Sequence, residues 1–148
     1  MKDSLRIQSI KKLDISEQFF YNYINLIKTF RVTNIIFNDF IKIINELPNN
    51  HNIFVLLNDN FEIVGTITTI IERKIINNGK CVCHVEDLII SPHYKGKSYG
   101  SKLLEFVKTY SQKNGCYKII LNCSVDISNF YLKNNFKQNN IEMTFYLN

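Results

Sequence analysis

The chain has 148 residues, 45% hydrophobic and 21% charged, and its 18 Lys and Arg against 13 Asp and Glu leave a net charge of +5. That length fits one domain with one core over 1–148, since folding buries about 70% of the surface of such a chain. The low Gly and Pro content, the lack of an apolar run near the roughly 20 residues that cross a bilayer, and the absence of an apolar signal core in MKDSLRIQSIKKLD exclude disordered, membrane and secreted classes and imply a cytoplasmic protein.

A short first strand is predicted over 5–10. Asp14 or Ser16 can cap a helix whose apolar residues Phe19, Phe20, Tyr23, Ile24, Ile27 and Phe30 recur at helical spacing. A second helix over 36–47 carries Ile36, Phe40, Ile43, Ile44 and Leu47, and Pro48 ends it. Segments 53–57 and 61–71 flank Asn58-Asp59-Asn60, a hairpin signal. A second turn, Asn77-Asn78-Gly79-Lys80, leads into a strand over 81–90. SPHYKGKSYG then reads as a loop that opens an amphipathic helix. Its buried stripe is Leu103, Leu104, Val107 and Tyr110, and Gly115 is its C-terminal cap. A strand over 117–123, a short helix over 127–135 and a last strand over 141–147 complete the order β-α-α-β-β-β-α-β-α-β. The fold class is α/β, a mixed sheet flanked by helices. Alanine is absent, so the helices lean on packing more than on propensity.

The lysines are scattered rather than clustered, which favours small anionic molecules over nucleic acid as partners. Cys81, Cys83, Cys116 and Cys123 lack the paired C-x₂-C spacing of a zinc site, so no metal is expected and the thiols are read as buried and reduced. Lys95-Gly96-Lys97-Ser98-Tyr99-Gly100, with Ser101 in the first helical turn, joins a strand to a helix. Free N–H groups and the helix dipole at such a place attract phosphate. Neither G-x-G-x-x-G nor a P-loop is present. Glu86 and Asp87 are acids within an otherwise apolar strand, where unpaired burial is costly. They read either as a structural salt bridge or as site residues. Arg73 and Lys74 follow a strand and are either solvated or anion-binding.

The loop resembles the pyrophosphate loop of the GNAT acetyltransferase superfamily, Arg/Gln-x-x-Gly-x-Gly/Ala, with Lys95 in the first place and Ser98 in that of the central Gly. Three further segments, Glu72-Arg73-Lys74-Ile75-Ile76, His84-Val85-Glu86-Asp87-Leu88 and Gly115-Cys116-Tyr117-Lys118, are similar to the glucosamine 6-phosphate N-acetyltransferases. So is Asn129-Phe130-Tyr131-Leu132-Lys133-Asn134-Asn135-Phe136, with Asn135 where Gly is usual. The similarity runs from about Ile71 to Met143.

That resemblance implies a GNAT fold and direct acetyl transfer from acetyl-CoA to the amine of glucosamine 6-phosphate, in UDP-N-acetylglucosamine biosynthesis, without an acetyl-enzyme. It implies cofactor contacts from the backbone of Leu88, Ile89 and Ile90 and from Lys95, Gly96, Lys97, Ser98, Tyr99, Gly100 and Ser101. It implies substrate contacts from Arg73, Lys74, Ile75, Ile76, Glu86, Asp87, Tyr117 and Lys118, and an intertwined homodimer with shared sites. Tyr131 takes the place of the acid that protonates the leaving thiolate. Asn122 stands where the family has Asp, and an amide is no base at neutral pH, so Glu86 becomes the candidate base. Tyr146 stands where some relatives carry a phosphate-binding Arg. These two departures keep open a GNAT enzyme for another amine, such as a protein N-terminus or lysine. A non-catalytic acyl-CoA or nucleic-acid module is the alternative from another class.

Overall fold

The computed structural model describes residues 5–147. Five strands, β1 (Arg6–Ser9), β2 (His51–Leu57), β3 (Ile63–Arg73), β4 (Cys81–Ile90) and β5 (Cys116–Ile120), form one mixed sheet in sequence order. The first four run antiparallel and β5 lies parallel to β4. Alternation along β2 explains how the sheet carries two apolar layers. Phe54 and Leu56 face α3 (Tyr99–Lys113) and the buried Tyr131 of α4 (Ser128–Lys133), together with Val64, Ile67, Cys83 and Val85. Val55 and Leu57 face α1 (Glu17–Lys28) and α2 (Phe37–Glu46), through Phe20, Tyr23, Ile24, Phe40 and Ile44. The mixed sheet with helices on both faces agrees with the expected fold class.

Local chemistry sets most boundaries. Ser16, not Asp14, caps α1, its Oγ accepting from Phe19 N at 3.1 Å. Thr29 donates to Leu26 O at 2.7 Å where that helix ends, so Phe30 falls outside the buried stripe and is half exposed. Ile36 and Ile43 are likewise exposed, leaving Phe40 and Ile44 as the anchors of α2. Asn58 Oδ1 accepts from the backbone N–H of Asn60 and Glu62, and Phe61 adopts φ +59° in the turn. Strand β3 therefore starts at Ile63, two residues later than its hydrophobicity suggests. Asn77, Asn78 and Gly79 all have positive φ, and β4 occupies the expected span 81–90.

Three expectations change. Strand β5 ends at Ile120, because the last register pair with β4 is His84–Ile120, and Leu121–Cys123 leave the ladder. The last helix is shorter than expected, Ser128–Lys133 after a 3₁₀ turn at Val125–Ile127, and Asn135 takes φ +65° beyond it. Residues 141–147 form no strand within this chain. Ile141, Met143, Phe145 and Leu147 are 86–89% exposed, so their apolar alternation has nothing among the described residues to pack on.

Candidate active site

The chain leaves β4 at Ser91, makes a 3₁₀ turn at Pro92–Tyr94 and enters α3 at Tyr99. Gly96 has φ +79° and a side chain there would meet nothing, so its requirement is backbone conformation alone. Ser98 precedes the helix at φ +60° without a side-chain cap, and the first turn carries no acid. The backbone N–H groups at a helix start and its dipole favour an anion, and the exposed Lys95 and Lys97 lie beside this one. Tyr99 and Gly100 are buried. A Cβ on Gly100 would lie 2.9 Å from Phe130 Cζ, which ties the start of α3 to α4.

Sequence reasoning missed Tyr94 as the anchor of this loop. Its ring stacks on Tyr99 at 5.9 Å and lies 5.2 Å beneath the Lys97 ammonium. Its hydroxyl donates to Glu62 Oε2 and accepts from Asn58 Nδ2, both at 3.1 Å. Those partners are 32 and 36 residues away in sequence, so no local signal could announce them. The left-handed conformation of Ser98 gives a direct test. Ser98→Gly should raise unfolding free energy by about 0.5–1 kcal/mol, the residual benefit once glycine's extra unfolded-state freedom is offset. Urea unfolding of the two proteins measures it.

Strands β4 and β5 part company beside this loop. The β3–β4 register shifts between Thr66 and Thr68, and Asp87 sits there with φ +48°. A bulge of this kind sharpens local twist, and a non-glycine residue held left-handed is a mark of functional sites. Beyond it β4 still pairs with β3, at Thr66–Ile89 and Gly65–Ile90, but no register pair with β5 follows His84. Among the described residues, therefore, the β5-facing backbone edge of Leu88, Ile89 and Ile90 has no strand partner. Gly65 permits the close β3–β4 approach, since a Cβ would lie 2.6 Å from Ile90 Cδ1 and 3.0 Å from Ile89 O.

Where β5 ends, a cleft of about 890 Å³ opens, bordered by Tyr117, Lys118, Asn122, Tyr131 and Glu142. Tyr131 is 9% exposed and wedged edge-on between Phe130 and Phe136, at 5.0 and 5.9 Å between ring centres. Burial pushes its phenol above the ordinary tyrosine range, and the charge of the neighbouring Cys123 adds to this. Cys116 also borders the cleft, and burial, with Cys83 and Cys81 nearby, pushes its thiol up to about 11. A thiol so held is protonated and a poor nucleophile at neutral pH. All four cysteines are free, but the expectation of buried thiols holds only for Cys81 and Cys83. Cys116 is half-buried and Cys123 exposed, because β5 stops short of it.

Glu86 and Asp87 are exposed, and neither forms an ion pair among the described residues, so the salt-bridge reading of the two acids is not what the fold uses. Partial burial first, then the neighbouring Asp87 and Glu142, pushes the Glu86 carboxyl above its usual range, while His84 pulls it down. Arg73 Nη1 donates to Gly79 O at 3.1 Å within its own hairpin. Lys74 pairs with Glu72 Oε1, and His84 Nε2 lies 2.8 Å from Glu72 Oε2. Hydrogen bonds from Lys74 and then His84 hold the Glu72 carboxyl below its usual range. Ile75 and Ile76 are exposed at the hairpin tip. The fold thus brings Tyr117, Lys118, Asn122 and Tyr131 to one cleft and leaves residues 73–76 outside its border. Among the described residues no group of three or more His, Cys, Asp or Glu is placed to hold a metal ion, and no helix is long and apolar enough to cross a membrane.

The acetyltransferase (GNAT) family model matches residues 16–136, a stretch that contains this split strand, its loop and the helix that follows, and the chain belongs to that family. Within it, the chain is similar to glucosamine 6-phosphate N-acetyltransferases. It is 38% identical over 87 residues to glucosamine 6-phosphate N-acetyltransferase 1 of Dictyostelium discoideum, covering 58% of this chain and 55% of that one. It is 35% identical over 85 residues to the Arabidopsis thaliana enzyme of that name, covering 57% of each. The matched stretch thus spans little more than half the length of these curated relatives. The crystal structure of glucosamine-6-phosphate N-acetyltransferase from Arabidopsis thaliana superposes with a TM-score of 0.83 at 29% identity, covering 98% of this chain and 99% of that one.

Proposed function

We propose that this chain transfers the acetyl group of acetyl-CoA to the 2-amine of glucosamine 6-phosphate, giving CoA and N-acetylglucosamine 6-phosphate in the cytoplasm, toward UDP-N-acetylglucosamine. The substrate follows the names of the similar enzymes. The observation that carries the chemistry is the glycine-containing loop that enters α3 with no side-chain cap at Ser98 and no acid in the first turn, following a strand whose outer half has left β5. The CoA pyrophosphate rests on residues 95–101, and the pantetheine arm runs along the open edge of β4. Backbone N–H groups of Leu88, Ile89 and Ile90 face the thioester oxygen as charge develops there. The amine nitrogen attacks the carbonyl carbon, a C–N bond forms and the C–S bond breaks. Glu86 takes the amine's proton, and Tyr131 gives its proton to the departing sulfur. Asn122 orients the amine without accepting a proton. Lys118 and Tyr117 contact the sugar phosphate together with Arg73, Lys74, Ile75 and Ile76, and Asp87 accepts from a sugar hydroxyl.

Residues 73–76 reach a sugar phosphate only if a second copy brings two sites together, and the exposed apolar segment 141–147 supports a homodimer. Its alternating Ile141, Met143, Phe145 and Leu147 suit an added strand. The edge of β5 opposite β4 is unpaired among the described residues. Truncation after Phe136 should convert a dimer into a monomer in sedimentation velocity. A truncated chain that still sediments as a dimer counts against this arrangement.

The test of function is acetyl-CoA turnover with glucosamine 6-phosphate beside unphosphorylated glucosamine. Turnover should require the phosphate. The second reading, another amine acceptor, draws on Asn122 and on Tyr146, an exposed phenol where some relatives place an arginine. Faster turnover of a peptide amine than of glucosamine 6-phosphate would favour it. Substituting Lys118 by Met should raise the KM for glucosamine 6-phosphate by about tenfold, the value of one charge-assisted phosphate contact. The KM for acetyl-CoA should stay within twofold in the same steady-state assay.

A further inference from the structure

Towards β4, the face of the sheet opposite α3 carries a polar side chain to which neither the family resemblance nor the proposed reaction gives a role. On β4 the side chains of Cys83 and Val85 turn into the α3 layer. Alternation therefore places His84 and Glu86 together on the opposite face, before the bulge at Asp87 interrupts the pattern. Across the ladder His84 is register partner of Ile70, and Glu72, two residues further along β3, shares that face. Glu72 Oε2 receives His84 Nε2 at 2.8 Å while its other oxygen is taken by Lys74. The carboxylate acts as a fixed post, and the imidazole it steadies is only part exposed.

We propose that His84 is a positioning residue for the proton chemistry of this site, fixed by Glu72 so that its cationic form keeps the neighbouring Glu86 ionised. This rests on the reading of Glu86 as the base that deprotonates the amine. The surroundings of Glu86 make the need clear. Asp87 follows it on β4, and the charge of Glu142 in the C-terminal segment adds to that of Asp87. Its register partner on β3, Thr68, is neutral. Lys74 is occupied by Glu72, and Lys118 on β5 lies opposite Val82, four residues back along β4. Tyr23 of α1 faces Asp87 and is neutral. Among the described residues, His84 is the cationic neighbour whose charge offsets those acids. Like-charge crowding disfavours a carboxylate, and an imidazolium nearby restores it.

Two residues along a strand separate the groups by about 6.6 Å, for which unit charges in water couple by about half a pH unit. The test uses the full chain and two readouts. One is the carbon-13 carboxyl titration of Glu86 without substrate, and the other is the pH profile of kcat with glucosamine 6-phosphate. In His84→Gln the Glu86 midpoint should rise by about half a unit, and the acid limb of kcat should rise with it. In His84→Lys, which keeps a cation, neither should rise. Thermal unfolding of both variants checks that the hairpin is intact, and a loss of stability common to both leaves the Gln–Lys difference readable. An unmoved Glu86 midpoint in His84→Gln overturns the role of His84. A moved midpoint with an unmoved acid limb overturns Glu86 as the base, and the catalytic role of His84 with it.

Discussion

Replacing Glu86 by Gln should lower kcat by about 10²–10⁴-fold at neutral pH, the range that general-base assistance ordinarily supplies. An ammonium has no lone pair to attack with, and Asn122 offers an amide where an acid would accept the proton. Burial and the adjacent Asp87 push the Glu86 carboxyl upward, so its basic form is lost at a higher pH than for an ordinary glutamate. The sign follows. Activity should fall as pH drops through that raised value, and the variant should lack this acid limb. The deficit should also shrink as pH rises, because free amine becomes abundant without help. Stability should move the other way from activity. A folded state that binds the Glu86 proton more tightly than the unfolded chain is weakened by ionisation, so at neutral pH Glu86→Gln should unfold no more easily than the parent. A pH–rate profile with saturating glucosamine 6-phosphate, paired with urea unfolding, measures both. Near-normal kcat in the variant at pH 7 removes Glu86 from the base role and leaves deprotonation to solvent.

Much of this site could be read from sequence because its signals are local. The span of β4, the N-cap at Ser16 and the glycine-bearing loop each depend on residues within one turn or strand, and all three appear in the fold. The departures concern pairing. The end of β5 depends on a bulge in β4 that twists the neighbour away, and hydrophobicity at 121–123 carries no trace of that. The apolar alternation at 141–147 forms no strand, because among the described residues it has nothing to pair with. The two places where the resemblance leads one to expect glycine, Ser98 and Asn135, are informative in a different way. Both keep positive φ, +60° and +65°, so the backbone shape is held by its surroundings even where the residue best suited to it is absent. Long-range contacts were invisible throughout. Tyr94 reaches Glu62 and Asn58, Gly100 is pressed on Phe130, and Glu72 reaches His84 on the next strand, each across a separation that no sequence period encodes.

Tyr131→Phe should cost about 10²-fold or more in kcat, the lower end of general-acid assistance, and unlike Glu86→Gln it should do so uniformly from pH 6 to 9. The phenol is pushed above its ordinary range by burial, so it stays protonated over that span and has a proton to give. A typical thiol titrates near 8.5 against about 10 for an ordinary phenol, so a departing thiolate is a weaker base than a phenolate. The proton therefore moves in concert with C–S cleavage, when charge builds on sulfur, rather than after it. That reasoning yields a finer result than loss of rate. With an acetyl thioester whose thiol is more acidic than CoA, the leaving group needs less protonation, and the deficit of Tyr131→Phe should shrink. The deficit of Glu86→Gln should not, because its task lies on the nucleophile. Packing offers the competing explanation, since the ring sits edge-on between Phe130 and Phe136 in the α3 core. Phe preserves that ring and removes only the hydroxyl, so a purely structural Tyr131 predicts normal kcat with either thioester. Equal deficits with both donors would retain a role for the hydroxyl but not as the acid, and would return the proton on sulfur to solvent.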